Sequence, residues 1–435
     1  MDPRPYRQVL ALALPMILSN ISVPLLGLVD TAVIGHLDDA AFLGGVAVGS
    51  MLITFLFWLC GFLRMSTTGL IAQAHGKGDG QALAVWLGKG LAVALALAAA
   101  LLVLQWPIGE LGLWLSGGSE QVRAQAASYF YIRIWAAPAA LCNLVVLGFL
   151  VGRQDTKGPM ALLLLGNGVN MALDLLLVVG LGWQVAGAAL ASVIADYLAL
   201  GLGLYLVARR LPGVHRHWLA LLGRGGWRRL WLLNRDILLR SLCLQLCFLF
   251  VTFQGARLGD AVVAANAVLL NFLLLISYAL DGIAYAAEAL TGKAVGEKDE
   301  IGLRAWVRIC AHWSLAFAGA FVVLFALGGE AIIALLTDVA AVRQEAVRYL
   351  PWVVALPLVA LWCYLYDGVF VGATRAREMR NTMVLATFGV FFPLWWLSQG
   401  WGNHGLWLAL SAFLATRGLA LWWLYRKPGF VTGSG

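Results

Sequence analysis

Two aspartates stand in stretches that are otherwise oily, at positions where a side chain could take up and release a proton. Asp30 lies in Pro24-Leu-Leu-Gly-Leu-Val-Asp30-Thr-Ala-Val-Ile34, and between Arg7 and Asp38 only His36 is also ionisable. Asp174 closes Asn170-Met-Ala-Leu-Asp174, which puts Asn170 and Asp174 one turn apart on one helical face. An aspartate near the centre of a membrane helix costs about 2.5–3.5 kcal/mol on insertion scales, so each one needs a reason. A carboxylate in low dielectric can bind and release a proton near neutral pH, the property a proton-driven exchanger needs. Hydrogen bonding across a packed interface is the plainer alternative. The same first helix carries Pro15 and Pro24, each of which removes a backbone hydrogen bond and invites a kink, so both are hinge candidates.

Other polar residues fall into two groups. Ser192 and Tyr131 are expected at a height comparable with Asp174, which suggests a polar pocket in the outer half of the first bundle. Asp281, Glu288 and Asp367 lie toward the inner ends of their helices, where they could line a cavity, bind cations or pair with Arg64 and Arg375. Asp196, Arg133 and Arg417 are expected to form structural pairs.

The elements that must position these groups follow from composition. Apolar residues make up 62% of the 435 and charged residues 12%, against about half and a quarter in soluble domains, so the chain is a polytopic membrane protein. Apolar runs predict twelve crossings, at 8–35, 43–70, 82–105, 124–151, 160–180 and 184–208, then 236–257, 263–291, 302–328, 344–371, 381–399 and 404–425. The first runs well past the core of a signal peptide and reads as an uncleaved crossing. With the N-terminus inside, the inner segments hold twenty Lys and Arg, seven of them between Arg209 and Arg235, while the outer ones hold Arg123 and Arg343, with Arg257 on a boundary. Both termini are therefore expected on the cytoplasmic side. The basic link reads as a positive-inside loop near anionic lipid rather than a nucleic-acid site. All six cysteines fall in apolar segments, without disulfide or zinc spacing.

The halves repeat at an offset of 220 residues: Gly76 with Gly296, Asp79 with Asp299, Trp86 with Trp306, Tyr129 with Tyr349, Gly148 with Gly368 and Gly152 with Gly372. Six crossings per half make the repeats parallel, related by an axis along the membrane normal. The expected fold is thus all-α and integral to the membrane: an N-lobe at 1–208, a basic cytoplasmic link at 209–235, a C-lobe at 236–427 and a tail at 428–435. The carboxylates break the symmetry, since Asp30, Asp174, Asp281 and Asp367 have no acidic counterparts at that offset. Gly76-Lys-Gly-Asp-Gly80 lacks phosphate-loop spacing and reads as a tight inner turn. No metal-ligand cluster or nucleophile arrangement appears, so neither an enzyme nor a cofactor is expected.

Leu14-Pro15, Val29-Asp30-Thr31-Ala with Ile34-Gly35-His36-Leu, the Gly-Lys-Gly-Asp turn, the Asn170/Asp174 pair and Asp367-Gly-Val-Phe-Val-Gly-Ala-Thr-Arg-Ala together resemble the multidrug and toxic compound extrusion (MATE) transporters, closest to their DinF branch. The resemblance spans the chain. It implies two six-helix lobes and export of organic, often cationic and amphipathic compounds by alternating access against inward H⁺ or Na⁺. It also implies that Asp30 couples protons and bends helix 1, with Asn170 and Asp174 as partners. Asp367 stands where NorM-type relatives place a cation-binding carboxylate, but the Glu expected on helix 7 is missing, which favours protons over sodium. A sodium-coupled antiporter and a lipid-linked precursor flippase are the alternatives. The expected setting is a monomer in a bacterial plasma membrane, meeting small organic compounds, protons and lipid, with no nucleic acid.

Overall fold

A computed structural model describes residues 3–35, 40–155, 157–211, 223 and 225–430, with backbone alone at 3, 25, 27–32, 34–35 and 40. The described residues are helical with no strand. Lipid cannot satisfy backbone groups, and a helix pairs them all internally. The helices are α1 (Pro3–Gly35), α2 (Ala40–Leu59), α3 (Phe62–Gly76), α4 (Gly80–Val103), α5 (Gln105–Ser116), α6 (Glu120–Arg133), α7 (Ala137–Gly152), α8 (Gly158–Asp174) and α9 (Gln184–Arg210). They continue as α10 (Trp227–Leu258), α11 (Asp260–Glu297), α12 (Glu300–Leu336), α13 (Ala340–Gly372), α14 (Ala376–Val384), α15 (Phe392–Leu397) and α16 (Asn403–Tyr425).

Among the described residues, eleven spans are long and apolar enough to cross a membrane, with α2–α3 and α6–α7 each counting as one. The remaining expected crossing, 381–399, is helical as α14 and α15 joined by a π-helical stretch, Leu385–Phe391. A second π-helical stretch, Leu175–Gly180, directly follows Asp174. Helix α1 runs unbroken through both Pro15 and Pro24. The protein is thus a multi-pass, all-α membrane protein.

Two compact units divide the chain: Leu18–Arg228, and Met1–Ile17 with Arg229–Gly435. One division falls inside α1, two residues past Pro15. The first two turns of α10, Trp227 to Asn234, occupy what reads in the sequence as the end of the basic link. Residues 212–222 and 224 of that link lie outside the described residues.

The 220-residue repeat reappears in atomic detail inside each unit. Asp79 Oδ1 accepts from Ala82 N at 2.9 Å to cap α4, and Asp299 Oδ1 accepts from Gly302 N at 2.8 Å to cap α12. The preceding residues, Gly78 (φ +68°) and Lys298 (φ +59°), both turn left-handed. Gln154 (φ 60°) and Thr374 (φ 56°) do the same after α7 and α13. Helix contacts repeat too. A Cβ on Gly148 or Gly152 of α7 would lie 2.6 Å from Arg64 O or 2.7 Å from Thr68 O of α3. On Gly368 or Gly372 of α13 it would lie 2.6 Å from Ala284 O or 2.5 Å from Glu288 O of α11. Each half therefore crosses two backbones at a small-xxx-small pair, where only hydrogen fits.

The end of the chain belongs to the second unit. Phe430 is 3% exposed, packed on Phe370 and Tyr425 with ring centroids at 5.1 and 5.3 Å, and Arg375 lies over its face at 4.6 Å. Arg375 Nη1 also donates to the Phe430 carbonyl at 3.2 Å. Phe430→Ala should cost about 3 kcal/mol, read as a lower thermal unfolding midpoint in detergent.

Candidate functional site

In the Leu18–Arg228 unit, α1 and α8 are odd-numbered crossings and run in the same direction. They meet at two levels. At the lower one, Asn167 Nδ2 donates to Ser22 Oγ at 2.5 Å, and Ser22 Oγ donates back to Ser19 O at 2.5 Å. At the upper one, Val33 of α1 packs in a buried cluster with Val178, Val185, Ala188, Ala189, Val46 and Tyr129. Residue 30 lies eight residues above Ser22, about 12 Å along the axis, and Asp174 lies seven above Asn167, about 10 Å. The backbone of Asp30 and the residue Asp174 thus stand at one level, between a polar tie and an apolar seal. The side chain of Asp30 lies outside the described residues.

Asp174 is buried at 1% exposure. Asn170 Nδ2 donates to Ser192 Oγ of α9 at 2.9 Å, so these two predicted neighbours meet each other. Asn170 Oδ1 is buried and receives no donor from the described residues. A neutral carboxylic acid is a donor that could meet such an acceptor, whereas a carboxylate is acceptor-only. Asn167, Asn170 and Asp174 form an i, i+3, i+7 stripe on α8, a pattern visible in the sequence although only its last two members stood out. The π-helical stretch beginning at Leu175 lets the chain widen at this point, a distortion often found at functional sites.

Tyr131 goes elsewhere. Its ring meets Trp106 of α5 at 4.6 Å and Phe130 at 5.3 Å, beside Glu110 and in a different apolar cluster from Val178. Tyr129, two residues earlier, is the buried aromatic side chain of the cluster that holds Val33 and Val178, with Phe42 packed against it. Arg133 and Asp196 form an ion pair at 2.8 Å, with Arg133 over the Phe57 ring at 5.4 Å. Lys89 of α4 is fully buried; its ammonium donates to Gly225 O at 2.6 Å and lies 5.6 and 5.1 Å from the Trp86 and Trp227 rings. That contact fastens the end of the basic link to the first unit.

In the second unit Asp367 joins three helices. Its Oδ2 accepts from Nη2 of Arg417 on α16 at 2.6 Å and from Nη2 of Arg240 on α10. Arg240 was not singled out in the sequence; it lies close after the basic link and blends with its cations. Arg375, a sequence candidate for Asp367, pairs with Glu378 at 2.7 Å. Arg64, the other, lies in the first unit and points Nη1 toward Thr68 Oγ1 at 3.5 Å. Asp281 is half-buried and acts electrostatically on Tyr364, whose hydroxyl hydrogen-bonds Ser277. Glu288 is buried at 3%.

The MatE family model matches the chain twice, over residues 15–176 and 237–397, close to the register of the internal repeat. The chain is 53% identical to DNA damage-inducible protein F of Escherichia coli K12 over 419 residues, covering 96% of this chain and 91% of the relative. It is 25% identical to multidrug resistance protein MdtK of Edwardsiella ictaluri, covering 98% and 97%. A solved multidrug resistance MATE family transporter in an outward-facing conformation matches with a TM-score of 0.85 at 19% identity, covering 99% of this chain and 96% of that one.

Proposed function

From the premise that the chain belongs to the MatE family, in its DinF branch, we propose that it exports organic, often cationic and amphipathic compounds in exchange for inward protons, with Asp30 as the coupling carboxylate. The family makes it a transporter and not an enzyme. Relatives bear multidrug-resistance names, which supports small organic compounds as its cargo.

The observation that carries the proton assignment is the shared level of residue 30 and Asp174, set by the Ser22–Asn167 bond below and the buried cluster that holds both Val33 and Val178 above. Two carboxylates at one level of a membrane bundle disfavour simultaneous ionisation, which supports a site that takes up a proton. Loading Asp30 or Asp174 creates a donor for an acceptor such as Asn170 Oδ1; unloading restores a charge that low dielectric penalises. The charge is therefore stable only with a proton or a cationic cargo beside it. That mutual exclusion is the elementary requirement of exchange. Pro24, about two turns below Asp30, lets α1 bend in one of the two states. The energy comes from the ion gradient, without a nucleotide or other cofactor. The Lys and Arg distribution supports cytoplasmic termini in a bacterial plasma membrane, and a monomer suffices.

Reconstituted liposomes test this. A pH difference of one unit carries about 1.4 kcal/mol per proton, enough to move a cationic dye measurably. A pH gradient should drive dye movement and a sodium gradient of equal size should not. Dye movement under neither gradient would defeat the antiport reading. A lipid-linked precursor would require a cationic cavity, yet the buried guanidiniums Arg240 and Arg417 are both engaged by Asp367.

A further inference from the structure

The charges of the Arg229–Gly435 unit have a different design from those at the level of Asp30. Asp367, Arg240 and Arg417 are 9%, 8% and 4% exposed, and two guanidiniums from different helices converge on one carboxylate oxygen. A carboxylate inside a membrane needs a positive partner: a proton, a bound metal cation or a cationic side chain. The first two can leave. A guanidinium stays protonated at any accessible pH and is tied to its helix, so it cannot. Two of them at one aspartate also repel any further cation from the same oxygens.

The surroundings show what these arginines hold in check. Asp281 reaches electrostatically to Tyr364 and Cys363, the same two groups on which Arg417 acts, and Asp367 and Arg240 act on Cys363 as well. Tyr364 and Ser277 share a hydrogen bond in the same region. Without the guanidiniums, Asp367 would be a buried carboxylate with no fixed counter-charge, open to neutralisation by a mobile cation. With them, the positive charges balance the negative ones. The Nε atoms of both arginines are buried without a hydrogen-bond partner among the described residues, so the arginines are held here by their ion pairs rather than by a full set of hydrogen bonds.

We propose that Arg240 and Arg417 are built-in counter-cations that occupy Asp367 throughout the cycle, closing it to mobile cations and making the transporter indifferent to sodium. This deepens the proton-exchange reading above and rests on it. Ion specificity is then set in two places: a titrating carboxylate in the first unit, and a permanently neutralised one in the second.

The test uses purified full-length protein in detergent, with ²²Na⁺ binding and unfolding midpoints in sodium versus choline chloride. Wild type should show no saturable sodium binding and no sodium-specific shift. Arg240→Gln/Arg417→Gln, checked as monodisperse, should gain saturable sodium binding and a midpoint rise of roughly 2 °C or more. Adding Asp367→Asn should remove both gains. A folded double variant without sodium binding would overturn the proposal. If the double variant does not fold, wild type decides with Asp30→Asn. Sodium binding that survives Asp30→Asn overturns the proposal. Binding that Asp30→Asn abolishes defeats both the proton reading of the first unit and the sodium indifference claimed here, and overturns the proposal as stated. No binding at all supports it.

Discussion

Asp30→Asn should reduce pH-driven dye export by roughly tenfold or more, equivalent to about 1.4 kcal/mol or more in the coupled step, while leaving the amount of folded protein unchanged. Asparagine keeps the size and the hydrogen-bonding capacity of the side chain but carries no titrating proton. A structural role for Asp30 would therefore survive the change, and a coupling role would not. The companion change, Asp174→Asn, removes the second carboxylate of the level but leaves Asn170 bonded to Ser192. Export should weaken less than in Asp30→Asn and shift its dependence on pH, because the level then holds one titrating carboxylate instead of two. Initial rates across a pH series in liposomes check both. Full pH-driven export by Asp30→Asn would remove that residue from the mechanism.

Gly372→Val should abolish the accumulation of folded protein, and Gly152→Val should do the same from the other half. A Cβ at Gly372 would stand 2.5 Å from Glu288 O, 2.6 Å from Thr291 Oγ1 and 2.8 Å from Gly292 N, and two of these are backbone atoms that cannot step aside. At Gly152 it would meet Thr68 O at 2.7 Å and Ile71 side-chain atoms at 2.9 Å. Overpacking by a single methyl costs about 1–3 kcal/mol where the surroundings can shift; here α11 and α13 must separate along their length. The control is Gly201→Ala in α9, where nothing lies within 4 Å. That change should be neutral or stabilising by roughly 0.5–1 kcal/mol, since alanine holds a helix better than glycine. Fluorescence-detected size exclusion of the three variants reads the comparison. A folded, monodisperse Gly372→Val protein would show that the α11–α13 crossing is looser than described.

Much of this architecture is legible in the residues because the features that repeat are chemically demanding. An Asp that caps a helix, a left-handed turn before it and two glycines four apart at a backbone crossing tolerate few substitutes. Gly76-Lys-Gly-Asp and its partner at Gly296 therefore stand out from a Leu- and Ala-rich background. The Asn170–Ser192 bond is legible for a similar reason: helical spacing fixes depth well. It fixes facing poorly. Two residues turn a helix by about 200°, which is why Tyr131 packs on Trp106 while Tyr129 joins Val33 and Val178.

Long-range pairing was not legible. Arg240 and Asp367 are 127 residues apart, and nothing local to either names the other. Arg240 follows the seven arginines of the link and shares their apparent purpose. Lys89 hides for the opposite reason, as a lone cation in a crossing whose partner is the carbonyl of Gly225 on the returning link. Phe430 looks like the start of a tail until Phe370, Tyr425 and Arg375 close around it.

The most direct test of the central claim is proton release on cargo binding. Purified protein in weakly buffered detergent solution is mixed with saturating cationic dye near pH 7, and the pH change is followed with an indicator. If cargo and proton exclude each other at Asp30, wild type should acidify the solution in proportion to bound dye, and Asp30→Asn should bind dye without acidification. Dye binding by wild type with no proton release, or equal release from Asp30→Asn, would contradict the account.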